Sequence, residues 1–264
     1  MKIGFIGLGN MGTAMIGGII KNKIVAAGDI IGADFMAERT QSVSEEYGIT
    51  MATDNKEVAA KADILVTSVK PQVYESVIND IKASVKADTV IISIAPGKTI
   101  EWLEDKYAKE IKLVRCMPNT PALVGEGCTG VCRNKNVTNE EFETVLKVLN
   151  SFGKAYEVSE SQMDAVVAVS GSSPAYVFML IEAMADGAVA EGLPRKTAYE
   201  MAAQAVLGSA KMVLETGKHP GDLKDMVCSP GGTTIQAVAT LEKMGFRASL
   251  IEAEKVCAAK SRSM

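Results

Sequence analysis

The first half of the chain alternates short apolar runs with stretches whose apolar positions return every three or four residues. The short runs predict strands at Lys2–Ile6, Ile30–Ala33, Ile64–Val69, Val90–Ile94 and Leu113–Cys116. Between them, Met11–Lys21, Ala37–Tyr47 and Val73–Val85 carry the helical period. Strand–helix alternation of this kind predicts a doubly wound, mostly parallel sheet.

Past about residue 160 the strand-like runs stop, and Ala, Met and Gly dominate long helical patterns. Helices are expected at Ser161–Val169, Pro174–Glu191, Arg195–Glu215, Thr233–Lys243 and Phe246–Ser261, with Pro174 and Pro194 in first turns and Gly192 and Gly217 at ends. The change in texture sets a domain boundary near Glu160, giving a nucleotide-binding half (1–160) and an all-helical half (161–264). Pro174–Glu191 is apolar on nearly every side apart from Glu182, Asp186 and Glu191. About 100 residues of helix offer little interior for such a segment. A second subunit would cover it, so a homo-oligomer with interleaved helices is expected, the alternative being a central helix shielded by its own neighbours.

Composition changes this picture little. The 28 Lys and Arg against 32 Asp and Glu form no basic block, so nucleic acid is not an expected partner. Five cysteines and a single histidine, His219, show no paired metal spacing, which favours reduced thiols, no metal site and a cytoplasmic setting. The opening MKIGFIGLGNMG is broken by glycines and Asn10 and does not read as a signal sequence. Carboxylates at Glu182 and Asp186, one turn apart, argue against a membrane span, so a soluble protein is expected.

The strongest local chemistry is Gly7-Leu8-Gly9-Asn10-Met11-Gly12, set between an apolar strand and a helical pattern. Gly7 permits a tight turn, Gly9 lets backbone approach a pyrophosphate, and Gly12 lets helix pack on strand. The helix start then offers N–H groups and a positive dipole end to the phosphates. Asp34 follows the second strand, where a carboxylate accepts from the adenosine ribose and repels a 2′-phosphate, favouring NADH. Arg39 could instead reach such a phosphate, so NADPH stays open, and Asp34 also reads as a plain loop carboxylate. Lys70 and Pro71 close one strand and could border the same ligand. Asn119, between prolines in RCMPNTP, lies in a stiff segment able to shape a nicotinamide pocket or simply to turn the chain.

His219 reads as a connection residue, and no nucleophile–base–acid set is visible. A substrate that arrives protonated, such as an iminium, would need no strong acid or base. Ser229-Pro230-Gly231-Gly232-Thr233-Thr234 opens a helix with surplus small and hydroxylated residues. Capping by Ser229 is the plain reading. The other is a carboxylate site at the N–H groups of Gly232, Thr233 and Thr234, taken as free.

Taken in order, GFIGLGNMG, SVKPQ, RCMPNTP, AVSGSSPAY, ADGAVAEGLPR, HPGDLKDMVCSPGGTTIQAV and GFRASLIEA resemble the pyrroline-5-carboxylate reductases across nearly the whole chain. The family usually writes SGSGPAY where Ser173 stands here. The resemblance implies a Rossmann domain followed by a helical dimerisation domain, and hydride transfer from NADPH or NADH to the C=N carbon of a cyclic imine, giving L-proline. It implies a homodimer, assembled as a decamer of five dimers. It places Gly7 to Gly12, Asp34, Asn55, Val69, Lys70, Pro71 and Ala95 around the coenzyme. Ser229, Gly232, Thr233 and Asn119 fall to the substrate, with Thr234 on the ring nitrogen as the catalytic residue. The opening GFIGLGNMG also resembles 3-hydroxyacid dehydrogenases, which expect a Lys in the first helix of the second domain. Ala168–Glu191 has none.

Overall fold

The computed structural model describes residues 1–263. Its chain divides into two compact units: Met1–Ser172 joined by the residues from Cys257 onward, and Ser173–Val256.

The first unit is built on strands β1 (Ile3–Ile6), β2 (Ile30–Ala33), β3 (Thr50–Met51), β4 (Ile64–Thr67), β5 (Val90–Ser93), β6 (Lys112–Met117), β7 (Gly127–Arg133) and β8 (Gly153–Glu157). They form one sheet in the order β3-β2-β1-β4-β5-β6-β7-β8. All neighbours run parallel except β6 and β7, which pair antiparallel. Strand order reverses between β1 and β4, which opens a crevice at their carboxyl ends.

Helices α1 (Asn10–Lys21), α2 (Ala37–Tyr47), α3 (Asn55–Lys61), α4 (Tyr74–Ile81), α5 (Ile100–Tyr107) and α6 (Asn139–Leu149) cover the sheet. The central strands β1, β2, β4 and β5 are buried on both faces, and alternate residues feed two cores. Ile3, Phe5, Ile64, Val66 and Val114 pack with Met15, Ile16 and Ile19 of α1 and Phe142 and Val145 of α6. Ile6, Leu65, Ile91 and Leu113 pack with Val58 of α3, Ile78 of α4 and Leu103 of α5. This is why the central strands read as continuous apolar runs.

Three strands lie outside the expected set. β3 is two residues long. β7 contains Gly127 and Gly130 because neighbours come too close for a side chain. A Cβ on Gly130 would stand 2.5 Å from Val166, and one on Gly127 2.7 Å from the Phe152 carbonyl oxygen. Those glycines dilute the strand pattern. β8 lies in a polar stretch, alternates half-buried and exposed residues and buries none of them.

Beyond β8 the chain is helical, as expected. A short helix α7 (Met163–Val166) passes through one wider, π-type turn (Val167–Ser172) into α8 (Ser173–Ala190). Pro174 therefore lies inside a continuous helical path rather than at a fresh start. The second unit continues with α9 (Arg195–Thr216), α10 (Pro220–Val227), α11 (Thr233–Lys243) and most of α12 (Phe246–Arg262). Pro194 is the N-cap of α9 rather than its first-turn residue, and Gly192 and Gly217 end helices with φ of +95° and +63°. Within α8 only Ala185 is buried, while Phe178 and Met179 are 62% and 68% exposed. The segment Glu160–Ala190 is long and apolar enough to cross a membrane by length and composition.

Candidate active site

Every residue expected around a coenzyme in the first unit falls at the carboxyl edge of the parallel strands. Gly7 to Gly12 leave β1, Asp34 leaves β2, and Asn55 opens α3. Val69, Lys70 and Pro71 follow β4, and Ala95 follows β5. Gly7 takes φ +92°, and a Cβ there would meet the Ser68 backbone at 2.9 Å. A Cβ on Gly12 would lie 2.6 Å from the Gly7 carbonyl oxygen. Gly9 has no heavy atom within 4 Å of its would-be Cβ, so the backbone there faces open space. No side chain caps α1 at Gly9, which leaves its first-turn N–H groups to a ligand. Tight turn, open approach and uncapped helix start together fit the pyrophosphate of a dinucleotide.

Leu8 is gripped from both sides. Its N–H donates to Asp34 Oδ2 at 2.8 Å, and its carbonyl accepts from Arg39 Nη1 at 3.2 Å and Thr13 Oγ1 at 3.1 Å. Asp34 Oδ1 also accepts from the Met36 N–H at 3.1 Å. Beside it, Asp34, Phe35, Thr53, Asp54, Asn55 and Asp80 line a cavity of about 310 Å³. The expected pair Asp34 and Asn55 are thus brought to one pocket.

Ser68, Thr13 and a buried hydroxyl cluster complete this edge and were not singled out from sequence. Ser68 Oγ donates to the Gly7 carbonyl at 2.6 Å, fixing the glycine turn to the end of β4. Tyr74 bonds Thr67 and donates to Ser93 Oγ at 2.8 Å, tying the ends of β4 and β5 together. Burial pushes the Tyr74 phenol up to about 12. The available signal was a hydroxyl residue closing the apolar runs of β4 and β5.

Asn119, expected at the substrate, is buried with its amide committed. Nδ2 donates to the Ser170 carbonyl at 2.9 Å, and Oδ1 accepts from the Cys128 N–H at 2.8 Å. Nearby, Arg115 is buried on β6 and donates to Glu160 Oε1 at 2.8 Å, which also accepts the Ile100 N–H at 2.7 Å. All five cysteines are free thiols. Burial raises Cys128, takes Cys132 to about 11 and holds Cys116 well above the ordinary thiol range.

In the second unit, Ser229-Pro230-Gly231-Gly232 forms a turn between α10 and α11. The Gly232 N–H closes it on the Ser229 carbonyl at 3.0 Å, and Gly231 takes φ +71°. Proline then glycine at the two central positions is what a type II turn requires. This corrects one expectation: the Gly232 N–H is spent on the turn and is not free for a ligand. Gly232 is the N-cap of α11 and no side chain caps the helix, so the first-turn N–H groups of Thr233 and Thr234 carry the anion-binding capacity. Ser229 and Thr233 are exposed, Thr234 half-buried. His219 caps α10 through Nδ1, which accepts the Gly221 N–H at 3.0 Å.

Residues 160–264 match the family described as pyrroline-5-carboxylate reductase dimerisation, and residues 2–97 match the one described as NADP oxidoreductase coenzyme F420-dependent. The chain is 51% identical over 263 residues to the pyrroline-5-carboxylate reductase of Escherichia coli strain K12, covering 100% of this chain and 98% of that one. Among solved structures, a Coxiella burnetii pyrroline-5-carboxylate reductase superposes with a TM-score of 0.93 at 34% identity, covering 99% and 97%. A Plasmodium falciparum pyrroline carboxylate reductase with NADP bound superposes with a TM-score of 0.88 at 35% identity, covering 100% and 97%.

Proposed function

This chain belongs to the pyrroline-5-carboxylate reductase family, and from that premise we propose that its Ser229–Thr234 turn holds the substrate carboxylate while Thr234 orients the ring nitrogen. The reaction is reduction of 1-pyrroline-5-carboxylate to L-proline with NAD(P)H, and the helical segment makes the protein an oligomer. When bound, the coenzyme supplies the hydride. The chain's residues do the binding and aligning.

Gly7, Gly9 and Gly12 admit the pyrophosphate, and Leu8, Asn10 and Met11 supply the backbone around it. Asp34 and Asn55 border the adenosine ribose, with Val69, Lys70, Pro71 and Ala95 along the rest of the coenzyme. Thr233 and Thr234 offer N–H groups and a positive helix end to the carboxylate, an interaction worth about 0.3–1 kcal/mol when exposed and up to ~2 when partly buried. Ser229 offers a hydroxyl to the same group, and Gly232 keeps side-chain bulk out of its approach. The Thr234 hydroxyl accepts from a protonated ring nitrogen and so sets the face of the C=N bond. Asn119 stiffens the segment after β6 and acts on the substrate through that backbone. Hydride reaches the C=N carbon and the already protonated nitrogen keeps its proton, so no strong acid or base is required and positioning carries the rate.

The observation that carries this reading is the turn itself. Ser-Pro-Gly-Gly closes on its own N–H and delivers an uncapped helix start followed by two threonines. Residues 161–264 then serve as the substrate-binding and dimerisation domain. The apolar face of α8 is covered by a second copy, in a cytoplasmic decamer of five dimers. Purified protein mixed with 1-pyrroline-5-carboxylate and NADH or NADPH should consume reduced nicotinamide and yield proline. Loss of carboxylate selectivity, with 1-pyrroline reduced as well as its 5-carboxylate, would overturn the cradle.

A further inference from the structure

The two residues that bear on coenzyme choice, Asp34 and Arg39, both act on Leu8 of the glycine turn. Asp34 takes the Leu8 N–H at 2.8 Å and Arg39 gives to the Leu8 carbonyl at 3.2 Å. We infer that this pairing commits the chain to NADH over NADPH, with Asp34 as the specificity-determining residue. The inference rests on the coenzyme site described above and deepens it.

Three observations converge. First, Asp34 is fixed. Its two backbone bonds, from Leu8 and Met36, hold the carboxylate at the end of β2, and each oxygen keeps a further lone pair for a ribose hydroxyl. Second, the cavity it faces is acidic. Asp34, Asp54 and Asp80 line it, and no Lys or Arg does. Asp54 caps α3 by accepting the Glu57 N–H at 2.8 Å, and Asp80 is paired with the exposed Lys56 at 3.2 Å. Third, Arg39 is drawn to the turn rather than to the cavity, its Nη1 donating to the Leu8 carbonyl, and it is not among the residues lining that cavity. A 2′,3′-diol can donate to this carboxylate. A phosphate at the same carbon brings acceptors and negative charge against it, and no Lys or Arg lines the cavity to compensate. Phe35, 95% exposed beside the cavity, adds an aromatic surface for the adenine, which both coenzymes share.

Nicotinamide-free probes separate this claim from the chemistry. By calorimetry on the full-length protein, ADP-ribose should bind about tenfold or more tightly than its 2′-phosphate. Asp34→Asn keeps an acceptor for the Leu8 N–H and removes the charge, so the gap should close mainly through tighter binding of the 2′-phosphate. The Asn variant's melting temperature checks that the turn is intact. Arg39→Gln should leave the gap in place. Equal affinity in the wild type, a preference for the 2′-phosphate, or a gap that Asp34→Asn leaves unchanged would overturn the inference. Failure of both probes to bind would instead sink the coenzyme site on which it rests.

Discussion

The Asn119 side chain donates to the Ser170 carbonyl at 2.9 Å, taking the place of the ordinary α-helical donor four residues on. Pro174, four residues later, has no N–H to offer that oxygen. A buried carbonyl without a donor is costly, and the amide that supplies one also takes the Cys128 N–H. One side chain thus fastens the segment after β6 to the π-type turn and to β7. Asn119→Ala should lower stability by about 2–3 kcal/mol, because a buried donor and acceptor both lose their partner. Denaturant unfolding of the variant measures this, and a loss under ~0.5 kcal/mol would show that water replaces the amide at little cost.

Gly9 and Gly12 predict opposite phenotypes from one motif. Gly12→Ala drives a Cβ to 2.6 Å from backbone oxygen, so both folding and nucleotide binding should suffer, the former by about 1–3 kcal/mol. Gly9→Ala meets no protein atom within 4 Å. It should melt within about 0.5 kcal/mol of wild type yet bind dinucleotide about tenfold or more weakly. Calorimetry with NADH and a thermal melt on each variant distinguish the two.

These contrasts show where the sequence was legible. β2, α2 and α11 lie where period and apolar runs put them, because double burial or a clean amphipathic repeat left one reading. β7 was not legible, since Gly127 and Gly130 answer to Phe152 and Val166, neighbours that only the fold brings close. The position of Asp34 just past β2, beside the glycine turn, could be read from its distance past the glycines, but its grip on Leu8 could not. The free Gly232 N–H was expected because helix starts leave donors unpaired. Pro230 and Gly231 carry the turn signal that would have spent it.

Asp63 predicts a pH-dependent contribution. It accepts the Lys2 N–H and the Lys86 ammonium, each at 2.8 Å, and Lys86 foremost holds its carboxyl below the ordinary 3.8. A depressed carboxylate stabilises the fold above the ordinary value and loses that contribution as pH falls through the folded one. Asp63→Asn should therefore cost about 0.5 kcal/mol at neutral pH, the pair being half exposed. The two proteins should converge in acid. A constant difference from pH 7 to pH 2 would show that charge plays no part.

Phe178 and Met179 project from α8, each more than half exposed in the single chain. Phe178→Glu should place a charge in the subunit interface and release smaller species, read as mass by light scattering after gel filtration. An unchanged assembly would move the interface off this face.

The central claim is that the Ser229–Thr234 turn anchors the substrate and Thr234 aligns its ring nitrogen. Steady-state kinetics of Thr234→Ala with 1-pyrroline-5-carboxylate tests it most directly. Turnover should fall about 100-fold with fold and oligomer intact, the scale of loss expected when a reacting group is misplaced by an ångström. Wild-type kcat and KM in that variant would contradict the account.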